Sequence, residues 1–567
     1  MLWLINVLFG YWYFYKVVFL VLHEDKIGQT FLLPLNLNDL IPSDHICHYV
    51  TKLVDCYDFK DIHEKFIGTA GGKAYSRKML LRLLLLATIE GYKSSRDIEK
   101  QARLNIPYMW ICGNDTPTYR TLLNFKNNYK DLIAEMLAII LKDAKKQGLV
   151  KLGEIGLDGT TMKANASNKN TVTEEILELA QQIIDESIIQ DQKDDEKYGE
   201  DEVGEEVAPK LSLKKKIKKL VEATQEKTRE EKKEIEKINP QDLELGFKFT
   251  PHEINQIQKA YNEIDVVKKQ RERSNDPKLK NKPIVISLSD PSSRFMHNKK
   301  GFKELSWNIQ NIVDCQSGFI LQSRLTQDPT DHYQLIPQIE NLQKNPDINI
   351  THSKIITDTA YNTQEAIEYI YKNDLNAFIP NQRQAMENKN RKFGKFAKAN
   401  FKYNLNKNQF TCPEKHILHH KNSYEENNKI KKVYYTNKCK NCPSKEECTP
   451  KSNYRIITHY SSKYQDLMTQ KMEKEESKEI YKKRANSERP FAHMKHNLGW
   501  TTMRSKDQAK NQTDLDLITL AHNIKLTHNH KNKKNTQPNK KNTPKIKTKN
   551  NPQNQIPKNS TKNLACA

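Results

Sequence analysis

Residues 480–500 of the chain read IYKKRANSERPFAHMKHNLGW. This stretch contains one carboxylate, Glu488, in a strongly basic setting. Such an acid needs a partner, which is either another side chain or a metal ion. Tyr481, Arg484 and Lys495 are spaced around Glu488 so that a continuous helix would carry all four side chains on one face.

Pro490 lies inside this spacing and leaves a second interpretation open. In a helix interior, proline removes a hydrogen bond and kinks the chain. Two helices would then meet near residues 487–490, and Lys495 would point elsewhere. A charged helix that only faces solvent is the third interpretation.

Two further acids each follow a short run of strand character. Asp158 closes the glycine-bounded run of residues 151–158, with residues 161–169 as the neighbouring strand, and Asp358 closes the run of residues 353–358. A lone aspartate there is usually a turn or cap residue. Three carboxylates from different elements indicate more, because Mg²⁺ takes oxygen ligands and needs only a few of them. Two such ions about 3.5–4 Å apart serve phosphodiester chemistry. The sequence therefore predicts one metal site of Asp158, Asp358 and Glu488.

The patterns around these acids predict an α/β core. Strand character appears at residues 283–295, a hairpin at 306–327 turns at 316–318, and helices alternate with strands from 332 to 380. This order predicts a mixed sheet flanked by helices. Residues 172–280 alternate charge along helices with few apolar positions, which favours a helical insertion with solvated faces; a lysine-rich face on DNA is the alternative.

Before the first acid, residues 23–150 are predicted to form an all-α domain. Short helices joined by tight turns carry Arg96, Arg120 and Lys126, which is compatible with a helix-turn-helix-like DNA reader. A plain helical bundle explains the same pattern equally well.

The charge balance predicts a polyanionic partner. Lys and Arg number 93 against 70 Asp and Glu, which gives a formal net charge of +23. Nucleic acid is favoured over a membrane surface, and a basic tail on an ordinary enzyme is the alternative. Residues 527–567 are predicted to be a disordered basic tail. Residues 1–22 are almost wholly apolar. We favour an extension from a misassigned start over a membrane anchor, and an anchor over a buried helix.

Four cysteines fall in the irregular basic segment of residues 381–460, at Cys412, Cys439, Cys442 and Cys448. The Cys-x2-Cys pair has the usual spacing of a tetrahedral zinc site, which the other two thiolates would complete. Four reduced thiols in a reducing cytoplasm are the alternative.

The motifs together resemble a bacterial insertion-sequence transposase of the DDE type. Tyr481, Arg484, Glu488 and Lys495 match the signature Tyr-x2-Arg-x3-Glu-x6-Lys in full, and LDGT around Asp158 resembles the first-acid motif. TDTAY around Asp358 resembles the second, with Ala360 where the family has glycine. The runs SDPSSRF, WNIQNIVD, TQDPTDHYQLIP, FTCPEKHIL and CKNCPSKEEC also resemble motifs of one subgroup.

The resemblance implies an RNase H-like core from residues 151–171 and 281–380, completed by residues 461–526. It implies that Asp158, Asp358 and Glu488 hold two Mg²⁺ or Mn²⁺ ions. Tyr481, Arg484 and Lys495 around the third acid are expected to contact DNA, the two cations by holding phosphate oxygens. Water would nick the ends of the element, and the freed 3′-hydroxyl would attack target DNA. A homodimer on DNA in the bacterial cytoplasm, at the nucleoid and without a membrane partner, is expected. The alternative is a catalytically decayed protein that still binds the element ends.

Overall fold

The computed structural model of the chain describes residues 36–56, 74–198, 211–274, 282–388 and 394–536, with short gaps at 114, between 232 and 244, and at 299, 427–428 and 461. Residues 1–22, for which an extension was predicted, lie outside this part. Among the described helices, none has the length and apolar character that crossing a membrane requires.

The described N-terminal residues are helical, as predicted. The helices are α1 (Ile46–Asp55), α2 (Arg77–Ile89), α3 (Ser95–Leu104), α4 (Ile106–Cys112), α5 (Tyr119–Asn128) and α6 (Lys130–Lys146). Side-chain caps fix two of the starts: the Ser94 hydroxyl accepts the Arg96 N–H, and the Thr118 hydroxyl accepts the Thr121 N–H. Such caps satisfy backbone donors that the first turn of a helix leaves free.

Residues 151–298 begin with a long strand and then leave the core for a helical unit. The elements are β1 (Glu154–Lys163), β2 (Thr171–Thr173), α7 (Glu174–Tyr198), α8 (Leu213–Glu231), α9 (Pro251–Ser274), β3 (Val285–Ser287) and β4 (Arg294–His297). The prediction of solvated helices for residues 172–280 is wrong in one respect. The unit has its own buried core, which includes Leu177, Leu220 and Ile257, and a buried ion pair joins Lys216 to Glu253 at 2.6 Å.

The predicted alternation of strands and helices follows. The elements are β5 (Lys303–Asp314), β6 (Ile320–Thr326), α10 (Leu335–Gln343), β7 (Lys354–Thr357), α11 (Gln364–Lys372), β8 (Asn376–Phe378) and α12 (Gln382–Asn388). Strands β5 and β6 form the predicted hairpin, and Gly318 in its turn has φ +82°, a conformation that favours glycine.

The central sheet is mixed, which confirms the α/β fold class. Its order is β4-β5-β1-β7-β8, and β6 also pairs with β5. Strands β1, β7 and β8 are parallel, whereas β5 pairs antiparallel with β1, β4 and β6.

Hydrophobic clusters cover this sheet on both faces. One joins Trp307 and Ile309 to the N-terminal helices, and the other joins Ile155 and Ile356 to α10 and α11. The helices therefore hold both faces of the sheet away from solvent and leave its strand ends for a site.

A second sheet of five antiparallel strands occupies the cysteine-containing segment. Its strands are β9 (Lys402–Asn404), β10 (Gln409–Thr411), β11 (Ile417–Glu426), β12 (Lys429–Thr436) and β13 (Arg455–Tyr460), in the spatial order β13-β12-β11-β10-β9. The short helix α13 (Lys445–Cys448) lies in the chain between β12 and β13.

The chain then returns to the core through α14 (Lys463–Glu473), α15 (Glu475–Lys482), α16 (Arg489–Ala492) and α17 (Gln508–Thr536). The predicted disorder after residue 526 is wrong as far as Thr536. The last turns of α17 pack on α1, because Lys531 lies 4.6 Å from the centre of the Tyr49 ring and His528 hydrogen-bonds the Asp44 carbonyl. Residues 537–567 lie outside the described part.

Candidate active site

Asp158 does not end its strand, so that prediction is wrong. Strand β1 continues to Lys163, and includes the first residues of the run that was predicted as a neighbouring strand, because β5 pairs with it along this length. The parallel partner β7 stops earlier, at Thr357 opposite Leu157. Asp158 is therefore the first residue of β1 beyond the end of β7.

Asp358 follows directly on β7, as the sequence predicts. Its carboxylate accepts the Thr359 N–H and caps a single 3-10 turn, Thr359–Tyr361. Because β1 and β7 are parallel and in register, Asp358 and Asp158 come side by side at the same sheet edge. Ala360, which replaces the glycine of the family motif, sits in this turn and is not among the positive-φ residues.

Glu488 reaches the same edge through an unusually close backbone approach. A side-chain carbon at Gly156 of β1 would lie 2.7 Å from Cβ of Ser487, so only glycine fits there without a shift. Ser487 is fully buried, and the Asn486 amide donates to the Cys315 carbonyl at 2.9 Å. The segment that carries Glu488 is thus anchored against β1.

The guanidinium of Arg484 stands among the three acids. Nη2 lies 2.8 Å from Glu488 Oε1, while Nη1 lies 3.6 Å from Asp158 Oδ2 and 3.8 Å from Asp358 Oδ2. The Arg484 side chain is only 16% exposed, against 58% for Glu488. Three carboxylates around one cation form a concentrated negative site that faces outward through Glu488.

The electrostatics of Asp158 follow from its burial. Desolvation raises the pKa of the Asp158 carboxyl from 3.8 to about 7, and the neighbouring Glu488 and Asp358 add to the rise. Arg484 and the Gly159 N–H oppose it, because both favour the charged form. Burial outweighs the ion pair because the guanidinium is more than 3.5 Å away and is shared with two other acids.

The signature residues do not lie on one continuous helix. Helix α15 ends at Lys482, a 3-10 turn spans Lys483–Asn486, and Pro490 lies in the first turn of α16, where proline is tolerated. A π-type turn, His493–Asn497, follows and carries Lys495. Of the interpretations above, the interrupted helix is therefore confirmed.

Lys495 nevertheless comes back to the sheet edge. Its ammonium donates to the Thr160 hydroxyl at 2.7 Å and to the Thr161 carbonyl at 2.8 Å, two and three positions beyond Asp158 on β1. Tyr481 is partly buried against the hydrophobic cluster that includes Ile155 and Ile356, and burial raises the pKa of its hydroxyl to about 12. The structure thus brings all four signature residues around the two aspartates.

Sequence reasoning missed a polar network behind these acids. The buried Tyr361 hydroxyl donates to Gln310 Oε1 at 2.5 Å, and the Gln310 amide donates to Asp331 Oδ1 at 2.6 Å. Asn308 donates to the same Asp331 oxygen at 2.8 Å. Alternating polar residues in a strand as buried as β5 were the signal, since a buried amide needs a specific partner.

The donor chemistry of the three acids fits a divalent cation. Hard carboxylate oxygens are the ligands of Mg²⁺ and Mn²⁺, and the Arg484 guanidinium already stands where positive charge collects. In the described part of the chain, no group of three or more His, Cys, Asp or Glu side chains is disposed to hold a metal ion. A cation at the acids would therefore need Arg484 to move aside.

The four cysteines, which lie in the described part of the chain, are likewise not disposed to hold a metal ion. Burial raises the pKa of the Cys439 thiol, and Cys448, Cys442 and Cys412 add to the rise, so the four thiols are neighbours. The His416 N–H donates to Cys412 Sγ at 3.2 Å. Their arrangement here gives zinc no support.

The basic residues predicted for the N-terminal domain fall into two groups. Arg96 and Arg120 are exposed on α3 and α5, and the Arg96 guanidinium stacks on Tyr119 at 4.7 Å. Lys126 points inward instead, because its ammonium pairs with the buried Asp514 at 2.5 Å. Lys126 is thus wrongly predicted as a DNA contact.

Comparison with protein families gives two matches. The Transposase DDE domain matches residues 411–528, and the Transposase domain (DUF772) matches residues 35–128. The first match contains Glu488, Arg484 and Lys495, whereas Asp158 and Asp358 lie between the two matched regions. No curated protein and no solved structure matches the chain. The resemblance to an insertion-sequence transposase of the DDE type, stated from the motifs, is confirmed by these matches.

Proposed function

We propose that this chain, which matches a Transposase DDE domain and a second transposase domain, cleaves DNA at the ends of an insertion sequence and joins those ends to target DNA. The observation that carries the proposal is the convergence of Asp158, Asp358 and Glu488 on one guanidinium at one sheet edge. The strand order and the helices on both faces support an RNase H-like core for residues 151–171, 281–380 and 461–526. Residues 23–150 would contribute DNA binding through Arg96 and Arg120.

In this proposal the three acids would hold two Mg²⁺ ions, or Mn²⁺ in their place. The ions would supply an activated oxygen nucleophile and neutralise the leaving oxygen. Arg484 would exchange its carboxylate partners for phosphate oxygens as DNA enters, since a guanidinium binds either anion in the same forked geometry. Lys495, anchored on Thr160 and Thr161, would hold a second phosphate beside Asp158.

Two properties of the acids suit this role. Glu488 is the most exposed of the three and would meet DNA first. Asp158 is the most buried, and its raised pKa makes it responsive to a cation, because positive charge nearby favours the ionised form.

The test is strand cleavage by the full-length protein on labelled DNA that carries the sequences flanking its gene, with Mg²⁺. Asp358→Asn keeps the size of the side chain and the cap to Thr359 while removing the charge. It should abolish nicking and leave DNA binding within about twofold of the wild type. Persistent cleavage by this variant would remove Asp358 from the proposed site.

A catalytically decayed protein that binds element ends is the second candidate, and the exposed Arg96 and Arg120 are the observation that favours it. It requires tight end binding by the wild type without metal-dependent nicking. Glu488→Gln separates the two, because it should lose cleavage and keep binding only if the first proposal holds.

The proposal has three further parts. They are a homodimer that holds both element ends, a location with the bacterial chromosome in the cytoplasm, and a structural zinc ion at Cys412, Cys439, Cys442 and Cys448. The Cys-x2-Cys spacing in the sequence is what motivates the zinc ion. Measuring zinc in the purified protein, with Cys442→Ser as the control, decides it.

A further inference from the structure

The five-stranded sheet has one buried and one exposed face. Phe410, Leu418 and Tyr434 point to the buried side and form a small core. The opposite side, called the outer face here, exposes large side chains: Tyr424 and Tyr460 are both 44% exposed. Large apolar and aromatic groups exposed together on one surface mark a binding site more often than a scattered few do.

A row of three residues crosses the outer face in register. Tyr424 on β11 lies opposite Lys431 on β12, which lies opposite Tyr460 on β13. The Lys431 ammonium is 5.2 Å from the centre of the Tyr424 ring and 5.7 Å from that of Tyr460. The Lys431 ammonium is thus held between two aromatic rings, one on each of the strands that neighbour β12.

A second group with the same chemistry lies four residues farther along β12, a distance of about 13 Å along the strand. The Lys421 ammonium sits 5.3 Å from the centre of the Tyr435 ring, and Tyr454 packs beside that ring at 5.6 Å. Lys421 occupies the bulge of β11, where the register with β12 shifts. The bulge re-aims its side chain onto the outer face.

These groups fit a partner in which flat rings and negative charges alternate. Within residues 417–425, 430–436 and 455–460, the outer face carries two lysines, Lys421 and Lys431, and no glutamate. Aromatic rings stack on the bases of a single strand, and the ammonium groups pair with its phosphates. In duplex DNA the bases are already stacked on one another, so exposed tyrosines gain less there.

We infer that the outer face of the five-stranded sheet binds single-stranded DNA. The inference rests on the proposed function, since strand cleavage at an element end leaves a free strand end that can unpair from its complement. The Tyr424–Lys431–Tyr460 row would take two bases and the phosphate between them, and the Lys421–Tyr435 pair would take a base and phosphate farther along the same strand.

The test measures the affinity of full-length protein for a labelled single strand of mixed sequence and for the duplex of the same length, without metal. Tyr424→Ala/Tyr460→Ala should weaken single-strand binding about tenfold or more, the equivalent of one or two lost stacking contacts. Duplex binding should change much less. Lys421→Gln/Lys431→Gln, which keeps most of each aliphatic stem, should lower the salt dependence of single-strand binding by about 0.7 per lysine in the log–log slope.

The matched control is Lys259→Ala/Tyr261→Ala. It removes an exposed lysine and an exposed tyrosine from α9 in the helical insertion, and it should change neither affinity. Because all the substituted tyrosines are exposed, folded variants are expected, and the melting curve of each is compared with that of the wild type.

Three results would overturn the inference. Single-strand affinity could stay at the wild-type value in both outer-face variants. Single-strand and duplex affinity could fall equally. The variants could instead change only the oligomeric state, which would make the face a contact between copies of the chain.

Failure of the proposed function leaves a different result. A wild-type protein that never nicks DNA, while its outer-face variants lose single-strand binding, keeps the inference and removes the catalysis. If the wild type nicks DNA and its outer-face variants bind single strands normally, the catalysis is kept and the inference is removed.

Discussion

The two sheets use the same residue types in opposite ways. At the six-stranded sheet Tyr361 is buried, and its hydroxyl is committed to Gln310. At the five-stranded sheet Tyr424 and Tyr460 are exposed, and the Lys431 ammonium lies over both rings. Burial with fixed hydrogen bonds suits a site whose geometry must hold through a reaction. Exposed rings suit a surface that accepts many sequences.

The difference predicts that small steric changes damage the first sheet far more than the second. Gly156→Ala should cause the largest loss, because its new methyl group would press on buried Ser487 and displace Glu488. A misplacement of about 1 Å at a catalytic group can cost roughly 100-fold in rate. We expect a cleavage rate lower by about that factor, with single-strand affinity unchanged.

Gly318→Ala is its control. Gly318 lies in the hairpin turn beyond the site, and a side-chain carbon there would come no closer than 3.9 Å to another residue. Its positive φ should cost stability and leave the cleavage rate near that of the wild type. Equal losses of rate in the two variants would contradict the close-approach argument.

Tyr361→Phe should give an intermediate effect. It removes the hydroxyl that holds Gln310 and leaves a buried amide oxygen without that donor. We expect a free energy of unfolding lower by about 1–3 kcal/mol. Groups that orient metal ligands from behind typically change activity by about 10–100-fold. Urea unfolding and single-turnover cleavage check the two effects separately, and a loss of stability without any loss of rate would make the network purely structural.

Without metal, the stability of the fold should depend on pH. The pKa of Asp158 is about 7 in the folded chain and about 3.8 when exposed. Between these values the folded state keeps the proton and the unfolded state loses it. The stability contribution is therefore fully present below pH about 4 and is lost as pH rises toward about 7, by up to about 4 kcal/mol. Asp158→Asn should flatten this part of a pH series of thermal melts, and an unchanged slope would contradict the burial of Asp158.

Local sequence patterns correctly predicted the structural features that depend on residues close together in the chain. Asp358 ends a short run of strand residues, and the β5–β6 hairpin shows alternation on both sides of Gly318, so both were correct. Asp158 was misplaced relative to its strand end because the length of β1 is set by β5, which lies about 150 positions away and continues past β7.

Packing between distant segments explains the other differences. Residues 172–280 were too polar to suggest a core, yet Leu177, Leu220 and Ile257 meet only when three separate helices come together. Likewise, helical spacing could not predict the contact of Lys495 with Thr160. A 3-10 turn and a π-type turn interrupt the helix between Tyr481 and the end of the segment that carries Lys495. The three acids themselves could be named from the sequence, since their chemistry is visible in their local settings.

The most direct test of the account is whether the three acids bind one cation together. Mn²⁺ binding by electron paramagnetic resonance can be measured on the full-length wild type and on Asp158→Asn, Asp358→Asn and Glu488→Gln, with Glu387→Gln as an exposed control on α12. We predict that each of the three variants weakens the same Mn²⁺ signal and that the control does not. A wild type without bound Mn²⁺, or a signal that depends on only one of the three acids, would contradict it.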